Sequence, residues 1–250
     1  MCEKTRMPIT QEFNMELYGS SGYLGSFITS SFPGMKCTPR FESPTKSHVF
    51  DFSFPNNYLT DIAFYSYLEL IKSRIECCKK NHLSYIYMGS VSSLPPVNSL
   101  YGQRKFEVEK LVLNSGFRVI HIGLVTSETI PGGRYKQLLD ILKLLPIIPI
   151  FSSNTFQVYV NQIEDLLGLI NGVQVLTPEQ ELLLGGIHAS SLGEQCVKIA
   201  AVLEKKTIRI NPMISKLFQT MLDLCPWRVA DSLKSLTMPR DLSAFRSTVL

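Results

Sequence analysis

The stretch Met15-Glu-Leu-Tyr-Gly19-Ser-Ser-Gly22-Tyr-Leu-Gly25-Ser-Phe-Ile-Thr-Ser30 decides the fold class. A short apolar segment runs into glycines at every third position, and a helical segment follows until Pro33. Strand, glycine-rich turn and helix in this order are typical of a βα unit that binds phosphate. Glycines permit a tight turn and let backbone amides approach an anion without a Cβ in the way. The sequence therefore predicts an anion-binding turn made by Gly19, Ser20, Ser21, Gly22, Tyr23, Leu24 and Gly25.

The same alternation continues along the chain. Strands are predicted over His48–Phe54, Leu83–Met88 and Phe117–Val125, and helices over Asp61–Asn81 and Leu100–Asn114. Apolar strands that alternate with amphipathic helices favour a doubly wound parallel sheet, which is a Rossmann-type α/β fold.

A chain of 250 residues suits one large domain with a small addition. The pattern divides it into a flexible tail over residues 1–14, a Rossmann domain over 15–170 and a smaller part over 171–250. That last part is predicted to be mostly helical and interleaved with the Rossmann domain.

Composition excludes several classes of protein. Lysine and arginine number 25 against 21 acidic residues, and the charges are interleaved, so nothing indicates a nucleic-acid partner. No apolar run reaches the roughly 18 residues that a membrane span needs, which predicts no membrane partner. The six cysteines show no CxxC pair, and the four histidines lie far from paired cysteines. We therefore expect no metal site, reduced thiols and a cytoplasmic location.

A second motif concerns chemistry. Tyr101 and Lys105 are four residues apart on a predicted helix, so both lie on one face. An ammonium beside a phenol favours the phenolate, which can exchange a proton with an alcohol or carbonyl oxygen. Ser90 follows a predicted strand at its carboxyl end, where ligands bind in open α/β sheets. These three side chains are the predicted catalytic residues.

Taken in order, these motifs make the sequence resemble the short-chain dehydrogenase/reductase superfamily. The resemblance is to its extended branch of NAD(P)-dependent sugar epimerases, dehydratases and reductases. It covers about residues 15–210 and rests on the glycine turn, Met88-Gly-Ser90 and Tyr101-Gly-Gln-Arg-Lys105 followed by Glu109. It implies that the tyrosine is the acid/base, the lysine binds the nicotinamide ribose, the serine orients the substrate oxygen and the glycine turn binds the cofactor diphosphate.

The sequence also departs from that family. Only about fifteen residues separate the first helix from the strand at His48, where the family fits a further strand and helix. We therefore expect a shortened adenosine half. Arg40 would suit the 2′-phosphate of NADP, whereas Glu42 would suit NAD; NADP is favoured. The bulky run Asp51-Phe-Ser-Phe-Pro55 replaces small residues and is expected to narrow the cofactor groove.

The resemblance implies a nucleotide-activated sugar as substrate, reduced or epimerised at a sugar carbon. The predicted substrate-binding residues are Ser90, Ser92, His121, Arg134 and Gln157. For His121 the alternative is a satisfied core histidine, and for Arg134 it is an ordinary surface arginine. Two other functions stay open: a scaffold or sensor that binds cofactor without catalysis, and a reductase of a non-sugar ketone.

Family members often pair through two long helices. The corresponding helices here, Asp61–Asn81 and Leu100–Asn114, were expected to carry Tyr67, Leu70 and Phe106 on their outward faces. The sequence therefore predicts a homodimer.

Overall fold

The computed structural model describes residues 14–97, 99–127, 132–151, 156–173 and 176–214, and beyond them Leu217, Thr220, Asp231, Ser235, Leu242, Ser243 and 245–248. The predicted tail lies outside the described residues except for Asn14. No helix in the described part of the chain is long and apolar enough to cross a membrane.

The described strands, in chain order, are β1 (Met15–Tyr18), β2 (Lys36–Cys37), β3 (His48–Asp51), β4 (Ser84–Ser90), β5 (Arg118–Ile122), β6 (Leu124–Thr126), β7 (Ile148–Ile150), β8 (Gln157–Gln162), β9 (Glu181–Leu183), β10 (His188–Ser191), β11 (Thr207–Arg209) and β12 (Arg246–Ser247). The described α-helices are α1 (Tyr23–Ser31), α2 (Asp61–Lys80), α3 (Leu100–Asn114), α4 (Gly133–Leu144), α5 (Asp165–Asn171) and α6 (Leu192–Val202).

Seven of these strands form one parallel sheet in the order β2-β1-β3-β4-β5-β9-β12. From β1 the chain moves to one side through α1 and β2, and then returns to β3 on the other side. The strand order therefore reverses between β1 and β3, which is where a crevice opens at the carboxyl ends of a doubly wound sheet. The predicted α/β fold class is confirmed.

Helices cover both faces of this sheet because the strand side chains alternate in direction. In β4, Ile86 and Met88 pack into the core that includes α1 and α5. Their neighbours Tyr85 and Tyr87 pack into the opposite core, against α2 and α3. Both faces of the central strands are buried, so these strands read as continuous apolar runs in the sequence.

The predicted shortening on this side of the sheet is also confirmed. Strand β2 has only two residues and ends this side of the sheet. Within the continuously described stretch from β2 to β3, no helix separates the two strands.

At Gly123 the chain leaves the main sheet and enters a second, smaller unit. The predicted strand Phe117–Val125 is in fact divided there, because β5 stays in the main sheet while β6 joins β8 and β10 in another sheet. A Cβ at Gly123 would lie 2.4 Å from the Tyr159 carbonyl oxygen, so this close crossing requires glycine.

This smaller unit has its own core. Helices α4 and α6 pack with β6, β7 and β8 around Leu139, Ile148 and Ile199. It takes residues from both sides of the predicted division at residue 170, which falls inside α5 and the main core. The described residues after 170 include helix α6 as well as four short strands, β9 to β12.

Candidate active site

The glycine turn joins β1 to α1 through very close backbone contacts. Gly19 has φ +85°, and a Cβ there would lie 2.8 Å from the Ser53 nitrogen. A Cβ at Gly25 would lie 2.2 Å from the Gly19 carbonyl oxygen. Gly22 is the N-cap of α1 and offers no side chain to cap it. Backbone N–H groups at such a helix start are suited to bind an anion.

Two cavities border this turn. The first, called here the groove, has a volume of about 660 Å³, and its lining includes Gly19, Ser20, Ser21, Thr38, Arg40, Ser53, Phe54 and Tyr67. The second, called here the pocket, has a volume of about 180 Å³, and its lining includes Tyr23, Leu24, Ser90, Ser92, Tyr101, Arg134, Tyr159 and Ser235. Since residues 20–21 face the groove and residues 23–24 face the pocket, the start of α1 lies between the two.

Strand β4 and helix α3 bring the three predicted catalytic residues to this end of the sheet. Ser90 ends β4, is nearly buried and lines the pocket. Its N–H donates to Glu109 Oε1 at 2.9 Å, and its Oγ accepts from the Ser92 N–H at 3.2 Å. Tyr101 lies in the first turn of α3 and lines the same pocket.

Lys105 lies one turn further along α3 and is buried. Its Nζ donates to Tyr87 Oη at 3.0 Å and to the Met88 carbonyl oxygen at 2.8 Å. Burial lowers the pKa of Lys105 below its usual value, and the charges of Tyr101 and Glu109 oppose that effect only in part. Among the described linings, Lys105 belongs to neither cavity.

The side chain of Phe54 lies next to Lys105 and accounts for its absence from both cavity linings. Its ring centroid is 4.6 Å from Lys105 Nζ and 5.2 Å from the centroid of Tyr101, which it meets edge-on. Tyr58 and Tyr67 pack against the same ring. The bulky run from Asp51 to Pro55 is predicted to narrow the cofactor groove. In the structure, one aromatic ring of this run, that of Phe54, lies against both Tyr101 and Lys105.

The segment before Phe54 is held by a buried polar network around Asp51. Arg74 Nη1 and Tyr85 Oη each donate to Asp51 Oδ2 at 2.6 Å. The Ser53 N–H donates to Asp51 Oδ1 at 2.8 Å. A buried ion pair of this kind needs such additional hydrogen bonds to satisfy it. Sequence analysis missed Arg74, because its partner is 23 residues away.

Arg134 lies in the pocket, as predicted for a substrate-binding residue. Its guanidinium carbon is 3.4 Å from the Tyr101 ring centroid, and Nη1 donates to Ser235 Oγ at 2.6 Å. Ser92 also lines the pocket, but its hydroxyl donates to the Ser235 carbonyl oxygen at 2.6 Å.

Two residues from near the end of the chain complete this region. Asp231 accepts the N–H groups of Leu100 and Tyr101 at 2.6 and 3.1 Å, and the Tyr58 hydroxyl at 3.0 Å. Ser235 lines the pocket. Sequence analysis missed both residues, since no local pattern links them to a helix about 130 residues earlier.

His121 and Gln157 are placed differently from the other predicted substrate residues. Neither belongs to the described lining of the pocket or of the groove. His121 is fully buried in β5, with Nε2 2.8 Å from Glu181 Oε1 and Nδ1 3.7 Å from Glu109 Oε2. Its burial is that of a core residue, but Nδ1 has no hydrogen-bond partner among the described residues. Gln157 begins β8, and Tyr159 two residues later contributes to the pocket instead.

Arg40 is exposed and lines the groove just beyond β2. Its carbonyl oxygen accepts from Arg74 Nη2 at 2.9 Å, which fixes the backbone of this corner. The predicted cofactor residues thus divide into a groove set, Ser20, Ser21 and Arg40, and a pocket set, Tyr23 and Leu24.

Comparison with known proteins adds to this geometry. No protein-family model matches the sequence, and no curated protein matches it. Among solved structures, dTDP-4-dehydrorhamnose reductase from Bacillus anthracis, in complex with NADP, is similar with a TM-score of 0.64 and 11% identity over 80% of this chain and 85% of that one. UDP-glucose 4-epimerase from Thermotoga maritima, with UDP-glucose, gives a TM-score of 0.60 and 10% identity over 79% and 85%. UDP-glucuronic acid 4-epimerase from Bacillus cereus, in complex with NAD, gives 0.56 and 15% over 89% and 94%.

The chain has the fold of these reductases and epimerases. At such low identity the likeness is one of fold alone, and this is the fold that the predicted resemblance implies. Within this reductase/epimerase fold, the present chain places Ser90, Tyr101 and the glycine turn around one crevice and fills part of it with Phe54.

Proposed function

We propose that the protein is an NAD(P)-dependent oxidoreductase or epimerase that acts on a nucleotide-activated sugar. One observation carries this proposal: the start of α1 lies between a groove and a pocket, and the pocket contains Ser90 and Tyr101. A nicotinamide dinucleotide has two nucleotides joined by a diphosphate. With the diphosphate at the helix start, one nucleotide would lie in the groove and the other would extend toward Tyr101.

The residues at the diphosphate end fit this cofactor. A side chain at Gly19 would collide with the backbone of Phe52 and Ser53, and one at Gly25 would collide with the backbone of the turn itself. Gly22 caps α1 without a side chain, so an anion can approach the backbone there. Ser20 and Ser21 would add hydroxyl donors from the groove side. The place for the nicotinamide ribose is less open, because Phe54 lies against Lys105.

The bound nicotinamide would supply or accept the hydride, and the chain would handle the proton. In the direction of reduction, the Tyr101 hydroxyl donates its proton to the substrate carbonyl oxygen; in oxidation, the tyrosinate takes that proton back. The Ser90 hydroxyl lines the same pocket and would hydrogen-bond the same oxygen. Arg134 would place a positive charge near a substrate phosphate, since its guanidinium already lies over Tyr101.

We favour NADP over NAD. Arg40 lines the groove and is exposed at the place where the adenosine half is shortened. Its guanidinium suits a 2′-phosphate, which only NADP carries.

Two observations favour the alternatives. The pocket, at about 180 Å³, is smaller than the roughly 300 Å³ at which drug-sized sites begin, so it suits a single sugar ring or a small non-sugar ketone. Contact between Phe54 and Lys105 favours a protein that binds nucleotide without catalysis.

Cofactor binding should be tested first, by placing a negative charge at the start of helix α1. Gly22 has φ −77°, which any residue can adopt, and aspartate and asparagine are both good N-caps. Titrations with NADPH and NADH, followed by nicotinamide fluorescence and thermal shift, should show micromolar binding to the native protein. Binding should be weaker in Gly22→Asn, because the added side chain caps the backbone N–H groups that the diphosphate would use. Binding should be lost in Gly22→Asp, because its carboxylate also repels the diphosphate.

Catalysis should be tested with keto-sugar nucleotides and the bound cofactor. Tyr101→Phe should keep cofactor affinity and lose about 10²–10⁴-fold in turnover, since it lacks the transferable proton. Absence of binding of either cofactor up to millimolar concentration would refute the proposed function. Binding without turnover on any ketone would support the scaffold alternative.

A further inference from the structure

We infer that Phe54 determines whether the nicotinamide half of a dinucleotide can reach Lys105. This inference deepens the proposed function and rests on it. In the arrangement described here, the groove accepts the adenosine diphosphate part of the ligand, whereas the nicotinamide ribose must displace the Phe54 ring before it can bond to the lysine.

The hydrogen bonds of Lys105 are the first step of the argument. A lysine ammonium has three N–H donors and no acceptor. Two of them are used by Tyr87 Oη at 3.0 Å and the Met88 carbonyl oxygen at 2.8 Å. The Phe54 ring centroid, 4.6 Å from Nζ, lies within cation–π distance, and so does the Tyr87 ring centroid at 4.5 Å. A ribose hydroxyl would have to replace the Phe54 ring.

The position of the ring is the second step. Phe54 lines the groove, and its other side meets Tyr101, which lines the pocket. Tyr58 and Tyr67 pack at centroid distances of 5.9 and 5.6 Å. The ring therefore forms the wall between the groove and the two predicted catalytic residues of α3.

The backbone before this ring cannot yield easily, which is the third step. The Ser53 N–H and hydroxyl both donate to Asp51, and the carboxylate of Asp51 is held by Arg74 and Tyr85. These groups are buried or nearly so. The change that clears the way is therefore a movement of the Phe54 side chain rather than of strand β3.

A ligand that ends at the diphosphate avoids this wall, whereas a complete dinucleotide meets it. The native protein should therefore bind ADP and NADH with affinities within about threefold of each other, because contacts of the nicotinamide half are offset by displacement of the ring. In Phe54→Ala the ratio of NADH affinity to ADP affinity should rise at least about tenfold.

Calorimetric titration with ADP, ADP-ribose, NADH and NADPH tests this. The matched control is Phe41→Ala, which removes an exposed ring beside Arg40. It should leave the ratio of NADH affinity to ADP affinity unchanged. Phe54→Leu keeps apolar volume but offers no ring face to the ammonium, so it should give a smaller gain for NADH. This variant also serves if Phe54→Ala proves unstable in thermal unfolding.

A double variant assigns the gain to the lysine. Phe54→Ala combined with Lys105→Met should lose the increase in NADH affinity. An unchanged NADH-to-ADP ratio in both Phe54 variants would overturn the inference alone, and so would a gain that persists without Lys105. Failure of ADP to bind any of these proteins would instead refute the proposed diphosphate site, and the inference with it.

Discussion

At the scale of single residues, the glycines of the turn differ in how closely other backbone atoms approach them. A Cβ at Gly25 would lie 2.2 Å from the Gly19 carbonyl oxygen, whereas a Cβ at Gly22 would lie 3.3 Å from the same atom. Gly25→Ala should therefore lower the free energy of unfolding by about 1–3 kcal/mol, as overpacking does. Gly22→Ala should lower it by less than about 1 kcal/mol, through poorer capping alone. Urea denaturation measures both, and equal losses would contradict the proposed close contact.

His121 predicts a pH dependence of stability. Burial alone would lower its pKa, but the Glu109 carboxylate and the hydrogen bond to Glu181 outweigh that effect, so the pKa of His121 is raised. A raised pKa in the folded state means that the stabilisation is complete below the ordinary histidine value of about 6.5 and is lost as the pH rises through the folded value. The stability difference between the native protein and His121→Gln should therefore shrink on going from pH 6 to alkaline pH, by at most about 1.4 kcal/mol per pH unit.

His48 provides the opposite control for that experiment. Burial and the charge of Arg118 lower its pKa. The unfolded chain then binds the extra proton, so the contribution of His48 to stability is lost as the pH falls. Denaturation of His48→Gln across the same pH range should show the reverse trend. The same sign for both variants would mean that the carboxylates do not govern His121.

At the scale of elements, helix α3 depends on a distant residue for its start. Ser99 accepts the Gly102 N–H at 3.0 Å, and Asp231 accepts the N–H groups of Leu100 and Tyr101. Asp231→Ala should lower the free energy of unfolding by about 1–2 kcal/mol, because a cap and a charge-assisted pair are lost. Turnover should fall as well, since Tyr101 lies in the first turn. Asp231→Asn keeps one acceptor oxygen and should lose less; identical losses would refute capping.

The corner after β2 predicts cofactor preference. Arg40→Ala should weaken NADPH binding about tenfold and leave NADH binding unchanged, because only the 2′-phosphate would contact the guanidinium. Arg209→Ala, an equally exposed arginine on β11, is the control and should change neither affinity. If Arg40→Ala weakens both cofactors equally, Arg40 does not select between them.

The elements also show what a sequence can and cannot predict. The run from β1 through the glycine turn to α1, and the sequence of α2, β4 and α3, followed from local periodicity and turn residues. The division at Gly123 did not, because it depends on the Tyr159 backbone 36 residues later. For the site, the predicted residues Ser90, Tyr101 and Arg134 line one pocket, and their roles stay predictions. Asp231 and Ser235 reach this region through long-range contacts that no local pattern encodes.

At the scale of the whole molecule, α2 and α3 predict a homodimer, but partly through other residues than expected. Tyr67 is buried and Leu70 lines the groove, so neither lies on the outer face. Phe106 is exposed as expected, and Ile62 and Tyr65 are exposed as well. Ile62→Glu should shift the protein to monomers in sedimentation equilibrium. Leu144→Glu is the matched control, since Ile62 and Leu144 are each 84% exposed, and it should not change the mass. A native protein that is monomeric at all concentrations would refute the dimer.

The two cavities differ in how much of the chain each requires. The described residues that line the groove fall between Gly19 and Arg74, whereas those of the pocket extend from Tyr23 to Ser235. Because a chain emerges from the ribosome N-terminus first, and local contacts form before distant ones, the groove should be built long before the pocket. A nucleotide that binds the groove at this stage would stabilise a nascent chain in which the pocket with the predicted catalytic residues has not yet formed. The bound nucleotide would then assist the folding of the protein as well as its catalysis.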